Sequence, residues 1–201
     1  MHANSLLLFR AHALSLFSSG IRVLEVGPDT IPSTYQKAVG EPVLQWDTLD
    51  RSPRPQLTYC SSDDYEFPIP DDYYDIVLSG QVLEHVKKPW RWMPELARVV
   101  GRGGLVITIN PVSWTYHEAP VDCWRAYPAG MVALYEDAGL VVETSWWGSL
   151  ETPGFPRFIP GDSREAQSLP RRLLYSLLGP LGLPVERSYD TITIGRKSAA
   201  Q

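Results

Sequence analysis

The chain has 201 residues, 44% hydrophobic and 20% charged, which suits one domain with a full apolar core. Its formal net charge of -5 lacks the basic footprint of a nucleic-acid binder, so neither DNA nor RNA is expected as a substrate. No apolar run reaches the length of a membrane span, and no stable insertion into a bilayer is expected.

Residues 4–18 repeat apolar side chains at helical spacing and stop at Gly20, which predicts an amphipathic helix with a glycine end. Arg10 and His12 interrupt its apolar run and no clean small-residue cleavage site follows, so it reads as structure rather than a signal peptide, in a cytoplasmic protein. Residues 21–26 predict a first strand. The stretch Val23-Leu24-Glu25-Val26-Gly27-Pro28-Asp29 is an apolar run that ends in an acid, a glycine and a turn. A buried parallel strand delivers its C-terminal end to a ligand in this way. A short helix is expected over 33–38, a second strand over 42–46, a turn over 51–55, a third strand over 56–60 and a loop over 63–72.

Residues 74–79 predict a fully apolar fourth strand, 81–86 a helical turn, 90–100 a helix, 101–104 a glycine turn and 105–109 a fifth strand. A helix over 128–138 stops at Gly139, a sixth strand covers 140–146, and alternating Thr and Ile over 189–194 predict the last strand. Strands that alternate with helices imply a largely parallel sheet with helices on both faces. Within one domain spanning 1–201, the proline- and arginine-rich segment 148–188 reads as an insertion, a lid or a homodimer contact. A membrane patch is less favoured, because only Arg171 and Arg172 give it a basic face. Cys60 and Cys123 form no CxxC pair and read as free thiols. Seven Trp and ten Tyr, many of them after Trp90, serve as core, or as stacking walls for a sugar or ring.

The order of motifs resembles the class I S-adenosylmethionine-dependent methyltransferases, in particular the methyltransferase type 11 group. The resemblance rests on Val23-Leu24-Glu25-Val26-Gly27; on Trp46-Asp47-Thr48-Leu49-Asp50; on Asp63 before Phe67-Pro68; on Asp75-Ile76-Val77-Leu78-Ser79 followed by Val82-Leu83-Glu84-His85-Val86; and on Glu95-Leu96-Ala97-Arg98-Val99 before Gly103-Gly104-Leu105. It implies a Rossmann-like doubly wound α/β sheet, mostly parallel with an antiparallel last strand, and S-adenosyl-L-methionine as cofactor. It places Glu25 near the charged amino-acid end of that cofactor, Gly27 and Asp29 at the turn where backbone approaches it, Asp50 or else Asp47 on the ribose hydroxyls, Asp63 on the adenine amino group, and Gln81 in the same set. Glu25 has the alternative role of a carboxylate capping a helix or loop, and Asp63 with Asp64 that of a solvated acidic loop. The chain departs from the pattern at Asp29 and Ile31, where the group carries glycines, so residues 29–32 must turn differently.

The segment Tyr116-His117-Glu118-Ala119-Pro120-Val121-Asp122-Cys123-Trp124-Arg125 resembles the H-x-x-P-x-D-x-W-R signature of members linked to sugar and cell-envelope chemistry. The resemblance implies an O-methyltransferase whose small acceptor is a sugar or other hydroxylated compound, contacted by Tyr116, Glu118, Asp122, Trp124 and Arg125. An oxygen acceptor needs a base, and histidine is the natural one. His117 is favoured, with His85 second; the alternative has His117 and Asp122 bracing the loop, with Arg125 paired to Asp122. The spacing of His117, Glu118 and Asp122 is no recognised metal motif, and no metal is expected. Two other functions compete: methylation of nitrogen or carbon on a natural product, and a non-catalytic binding protein that kept the fold. A nicotinamide-dependent oxidoreductase is disfavoured by the absence of a G-x-G-x-x-G run.

Overall fold

The structure is a computed structural model, and it describes residues 3–40, 45–114, 116–117, 121–151, 173, 177 and 188–199. Strands β1 (Arg22–Val26), β2 (Gln45–Asp50), β3 (Tyr59–Cys60), β4 (Tyr74–Gly80), β5 (Val100–Ser113), β6 (Leu140–Gly148) and β7 (Tyr189–Lys197) form one sheet in the order β3-β2-β1-β4-β5-β7-β6. The first five pair in parallel, and β7 runs antiparallel to both neighbours, as expected for the last strand.

Alternation along the strands splits the core into two layers. Leu24, Val26, Val77 and Val106 face the layer that holds Trp92, Met93, Leu96, Met131 and Tyr135, from helices α3 (Pro89–Val99) and α4 (Pro128–Asp137). Val23, Ile76, Leu78, Ile107 and Ile109 face the layer of Leu6, Phe9, Phe17 and Tyr35, from the N-terminal segment and helix α2 (Thr34–Val39). The two faces bury most of β1 and β4, which is why both read as largely apolar, with Glu25 in β1 the buried charged exception. No helix among the described residues is long and apolar enough to cross a membrane.

Three elements differ from expectation. The N-terminal helix is α-helical only over α1 (Ala3–Leu8), then widens to a π turn over Phe9–Ala13 and tightens to a 3-10 turn over Leu14–Leu16. Asn4 anchors its start, donating to Asp190 Oδ2 at 2.7 Å and to the Gly148 carbonyl at 2.9 Å. β2 runs on past the expected end through Asp47, Thr48, Leu49 and Asp50; residues 41–44, where the expected strand starts, lie outside the described set. The glycines at 101–104 are not a free turn but a bulged entry into β5: Tyr74 pairs with Val100 while Ile76 pairs with Leu105. Gly104 belongs there because a Cβ would sit 2.8 Å from the Asp75 carbonyl. Most of segment 148–188, including Arg171 and Arg172, lies outside the described residues. Cys60 and Cys123 are free and exposed.

Candidate active site

The C-terminal ends of β1, β2 and β4 open onto a cavity of about 330 Å³. Gly27, directly after β1, adopts φ 73°, and its N–H still donates to the Leu49 carbonyl at 2.8 Å. A Cβ at this position would run into Val82 Cγ2, so both backbone conformation and space demand glycine. Asp29, standing where the resemblance has a glycine, ties the following turn with its side chain. It accepts from Thr30 N at 2.8 Å, Thr34 N at 3.0 Å and Thr34 Oγ1 at 2.6 Å. Hydrogen bonds here set a turn that glycines otherwise set by conformational freedom.

Asp50, the last residue of β2, lines the cavity along with Asp63 and Asp64. Its carboxylate accepts from Arg51 N at 2.6 Å and pairs with Arg54, whose guanidinium also donates to the Pro28 carbonyl at 2.7 Å. Arg54 therefore staples the β1 and β2 loops together, a role with no signal in the sequence beyond a basic turn. Asp63 accepts from Tyr65 N at 2.7 Å, while Asp64 pairs with Arg51 at 3.3 Å. Burial pushes the Asp64 carboxyl up, against the pull of Arg51.

Two expected cofactor contacts are turned away from the cavity. Asp47 sits three residues before Asp50 on a strand of period two, so it faces the opposite side. There it accepts from the Tyr74 hydroxyl at 2.7 Å and Gln45 Nε2 at 2.5 Å, and it does not line the cavity. Glu25 is 2% exposed and alternates with Leu24 and Val26, away from the lining. Its Oε2 accepts from Ser33 Oγ at 2.5 Å and Trp46 Nε1 at 3.0 Å. Ser33 is the N-cap of α2 and accepts from Gln36 N at 2.9 Å, so Glu25 secures a helix cap. Burial pushes the Glu25 carboxyl up to about 8, against the two hydrogen bonds.

Gln81 lines the cavity wall in a left-handed conformation, φ 61°. Its Nε2 donates to Asp190 Oδ1 at 3.0 Å, and its buried Oε1 receives no donor. His85, closing the 3-10 turn Leu83–His85, also lines the wall, with Nδ1 2.5 Å from the Val121 carbonyl. The His117 ring stands edge-on to His85, centroids 5.1 Å apart. The two histidines proposed as bases thus lie together, His85 in the cavity wall and His117 against it.

The loop around His117 braces itself. Asp122 accepts from His117 N at 3.0 Å and lies 3.5 Å from His117 Nδ1, while Arg125 grips both of its oxygens. That guanidinium holds the Asp122 carboxyl well below the usual carboxylate range. Arg125 donates further to the carbonyls of Trp124 and Trp114, and Trp124 Nε1 donates to the Val86 carbonyl at 2.9 Å. The polar groups of Asp122, Trp124 and Arg125 are used in shaping the loop, Tyr116 is 70% exposed, and Glu118 lies outside the described residues. Sequence reasoning passed over Glu84, whose only mark was its place in Leu83-Glu84-His85. It is 1% exposed, its Oε2 has no hydrogen-bond partner, and burial pushes its carboxyl up to about 8.

Comparison with known proteins agrees with this geometry. Residues 31–108 match the model of a family described as a methyltransferase domain. An uncharacterized methyltransferase of Mycobacterium avium is 35% identical over 95 residues, 47% of this chain and 33% of that protein. The first curated relatives share only a third of their length or less with this chain. Among solved structures, a Haloferax volcanii putative methyltransferase, in complex with the Trm112 methyltransferase activator, superposes with a TM-score of 0.64 at 20% identity, covering 96% of this chain and 89% of that one. Haemonchus contortus phosphoethanolamine N-methyltransferase 2, in complex with S-adenosyl-L-methionine, gives 0.57 at 17% identity, covering 97% and 52%.

Proposed function

From a chain whose residues 31–108 match a methyltransferase-domain family, we propose a class I S-adenosylmethionine-dependent O-methyltransferase acting on a hydroxyl of a small acceptor, a sugar or oligosaccharide in the first instance. The observation that carries this reading is the arrangement along one cavity: Asp50, Asp63, Gln81 and His85 line its wall, Gln81 Oε1 has no hydrogen-bond partner among the described residues, and His117 stands edge-on to His85. The acids and the buried acceptor suit the hydroxyls and amino groups of an adenosine and its methionine tail. Val26, Leu49, Phe67 and Val86 supply an apolar wall for the base.

When bound, S-adenosylmethionine supplies a methyl group already activated by its sulfonium, and transfer leaves the carbon–sulfur electron pair on sulfur. The chain's own residues then have three tasks. Asp50, Asp63 and Gln81 fix the donor's orientation. Leu83–His85 and the His117 loop bring the acceptor oxygen into line and exclude water. His117, held at Asp122, takes the hydroxyl proton as the new oxygen–carbon bond forms, with His85 beside it as the second candidate.

Isothermal titration with S-adenosylhomocysteine, followed by a methyl-transfer screen against sugars and phenols, tests the proposal. Saturable cofactor binding is expected, with transfer to a hydroxyl falling at least tenfold in His117→Ala. No binding at millimolar cofactor would sink the reading in favour of a non-catalytic protein of this fold. Transfer to an amine, unchanged in His117→Ala, would favour N-methylation instead, the chemistry named for the Haemonchus neighbour.

A further inference from the structure

We infer that Glu84, His85 and His117 form a binding site for a divalent transition-metal ion beside the cavity, where His85 enters its wall. One potential ligand atom from each residue lies within 4.8 Å of the others. Glu84 Oε1 is 3.8 Å from His85 Nε2, so a modest inward shift of the side chains closes the set around an ion at ordinary ligand distances of about 2.0–2.2 Å.

Two further observations point to a ligand. Glu84 is 1% exposed and its Oε2 receives no hydrogen bond. Buried carboxylate oxygens in folded proteins are almost always satisfied, so this one marks a missing cationic or donor partner. Both imidazoles also carry the outer-sphere support typical of metal ligands. His85 Nδ1 lies against the Val121 carbonyl at 2.5 Å, and His117 Nδ1 lies 3.5 Å from Asp122, itself fixed by Arg125. A carbonyl or carboxylate behind one ring nitrogen sets the tautomer and turns the other nitrogen toward the ion.

The donor set identifies the class of ion. Two imidazoles and one carboxylate favour zinc, cobalt, nickel or iron over magnesium or calcium, which prefer all-oxygen shells. Three protein ligands leave positions open. An acceptor hydroxyl in one of them would lose its proton more readily through coordination, which would replace proton removal by His117, whose free ring nitrogen the ion would occupy. The site stands on its geometry; only this link to catalysis rests on the function proposed above.

The test is titration of the chelator-stripped full chain with Co2+, followed by visible absorption, with Zn2+ as competitor. One equivalent of Co2+ should bind with d–d bands of a low-symmetry nitrogen–oxygen site, displaced by Zn2+ and not by equimolar Mg2+. Glu84→Gln and His117→Ala should each weaken binding at least tenfold, while Cys60→Ser and Cys123→Ser leave it unchanged. His117 lies on a loop, so its variant keeps the test readable if Glu84→Gln fails to fold. No saturable Co2+ signal, a signal indifferent to His117→Ala, or one lost in the cysteine variants would overturn the site. Cofactor titration of the same metal-free protein separates the two proposals: lost cofactor binding with intact Co2+ binding would sink methyl transfer and leave the metal site standing.

Discussion

Replacing Glu25 by Gln should flatten the dependence of stability on pH. The folded-state carboxyl is pushed up to about 8 from its ordinary 4.5 because the residue is buried at the heart of β1, and the hydrogen bonds from Ser33 and Trp46 only partly offset that burial. Between those two values the unfolded chain has released the proton and the folded chain still holds it. The folded state then binds more protons, so stability falls as pH rises and levels off above the folded pKa. A difference of this size corresponds to about 5 kcal/mol in full, of which roughly 3–4 kcal/mol falls between about pH 5 and about pH 8. That is a large share of the 5–15 kcal/mol that holds a typical domain together. Glutamine is isosteric, its carbonyl oxygen can accept both hydrogen bonds, and it does not ionise. Urea midpoints of Glu25→Gln and the unmodified chain should therefore diverge as pH rises, with the variant the more stable at the alkaline end. Glu84, also buried and pushed up, is common to both proteins and drops out of the difference. Parallel pH–stability curves for the two proteins would refute the argument.

Other substitutions separate the roles of neighbouring residues. Asp50→Asn should weaken S-adenosylhomocysteine binding by about tenfold to a hundredfold in calorimetry, the worth of one or two hydrogen bonds to a charged group. Asp47→Asn should leave that affinity within about twofold and instead lower stability by about 1–3 kcal/mol, through the weakened Tyr74 and Gln45 hydrogen bonds. Gly27→Ala places a side chain at φ 73° against Val82; a loss of about 2–4 kcal/mol, read as a fall in Tm of about 5–15 °C, is expected. Arg125→Met removes the guanidinium from Asp122 and loosens the seat of His117. It should lower kcat for methyl transfer while cofactor affinity, measured separately, stays unchanged.

The parts of the fold legible in the sequence are those where burial on both faces leaves no choice of residue. β1, β4 and β7 are of this kind, and their apolar or Thr/Ile patterns mark them within a few residues. β2 shows where that signal fails. The apolar residues at 42–44 set the expected strand, while the real strand runs on through Asp47, Thr48 and Asp50. Polar residues can hold a strand there because tertiary partners satisfy them: Tyr74 for Asp47, and Thr58, which exchanges two backbone-to-hydroxyl hydrogen bonds with Thr48. The glycines at 101–104 misled for the opposite reason. Glycine marks both a turn and a close backbone approach, and only the register between β4 and β5 distinguishes the two.

The candidate site divides along the same line. Asp50 ends β2, Asp63 follows β3 and Gln81 follows β4, so strand order alone carries all three to one edge of the sheet and onto the cavity wall. Glu25 and Asp47, named as cofactor contacts by that same reasoning, lie off the cavity wall, because proximity to the edge says nothing of which face a side chain takes. A difference of one residue in register moves a carboxylate from the cavity to the core. The roles of Arg54 and Glu84 carried no local signal beyond a basic turn and a place in Leu83-Glu84-His85. Arg54 acts by reaching Pro28, 26 residues away, and the turn that holds Glu84 is fixed by Cys123 N on the Glu84 carbonyl and by Val121 on His85, 36 residues apart. Contacts across such distances exist only once the chain has folded. The region around His85 and His117, built almost wholly from them, is therefore where sequence and structure part most, and where a buried Glu84 oxygen without a hydrogen-bond partner among the described residues emerged that the motif around it did not foretell.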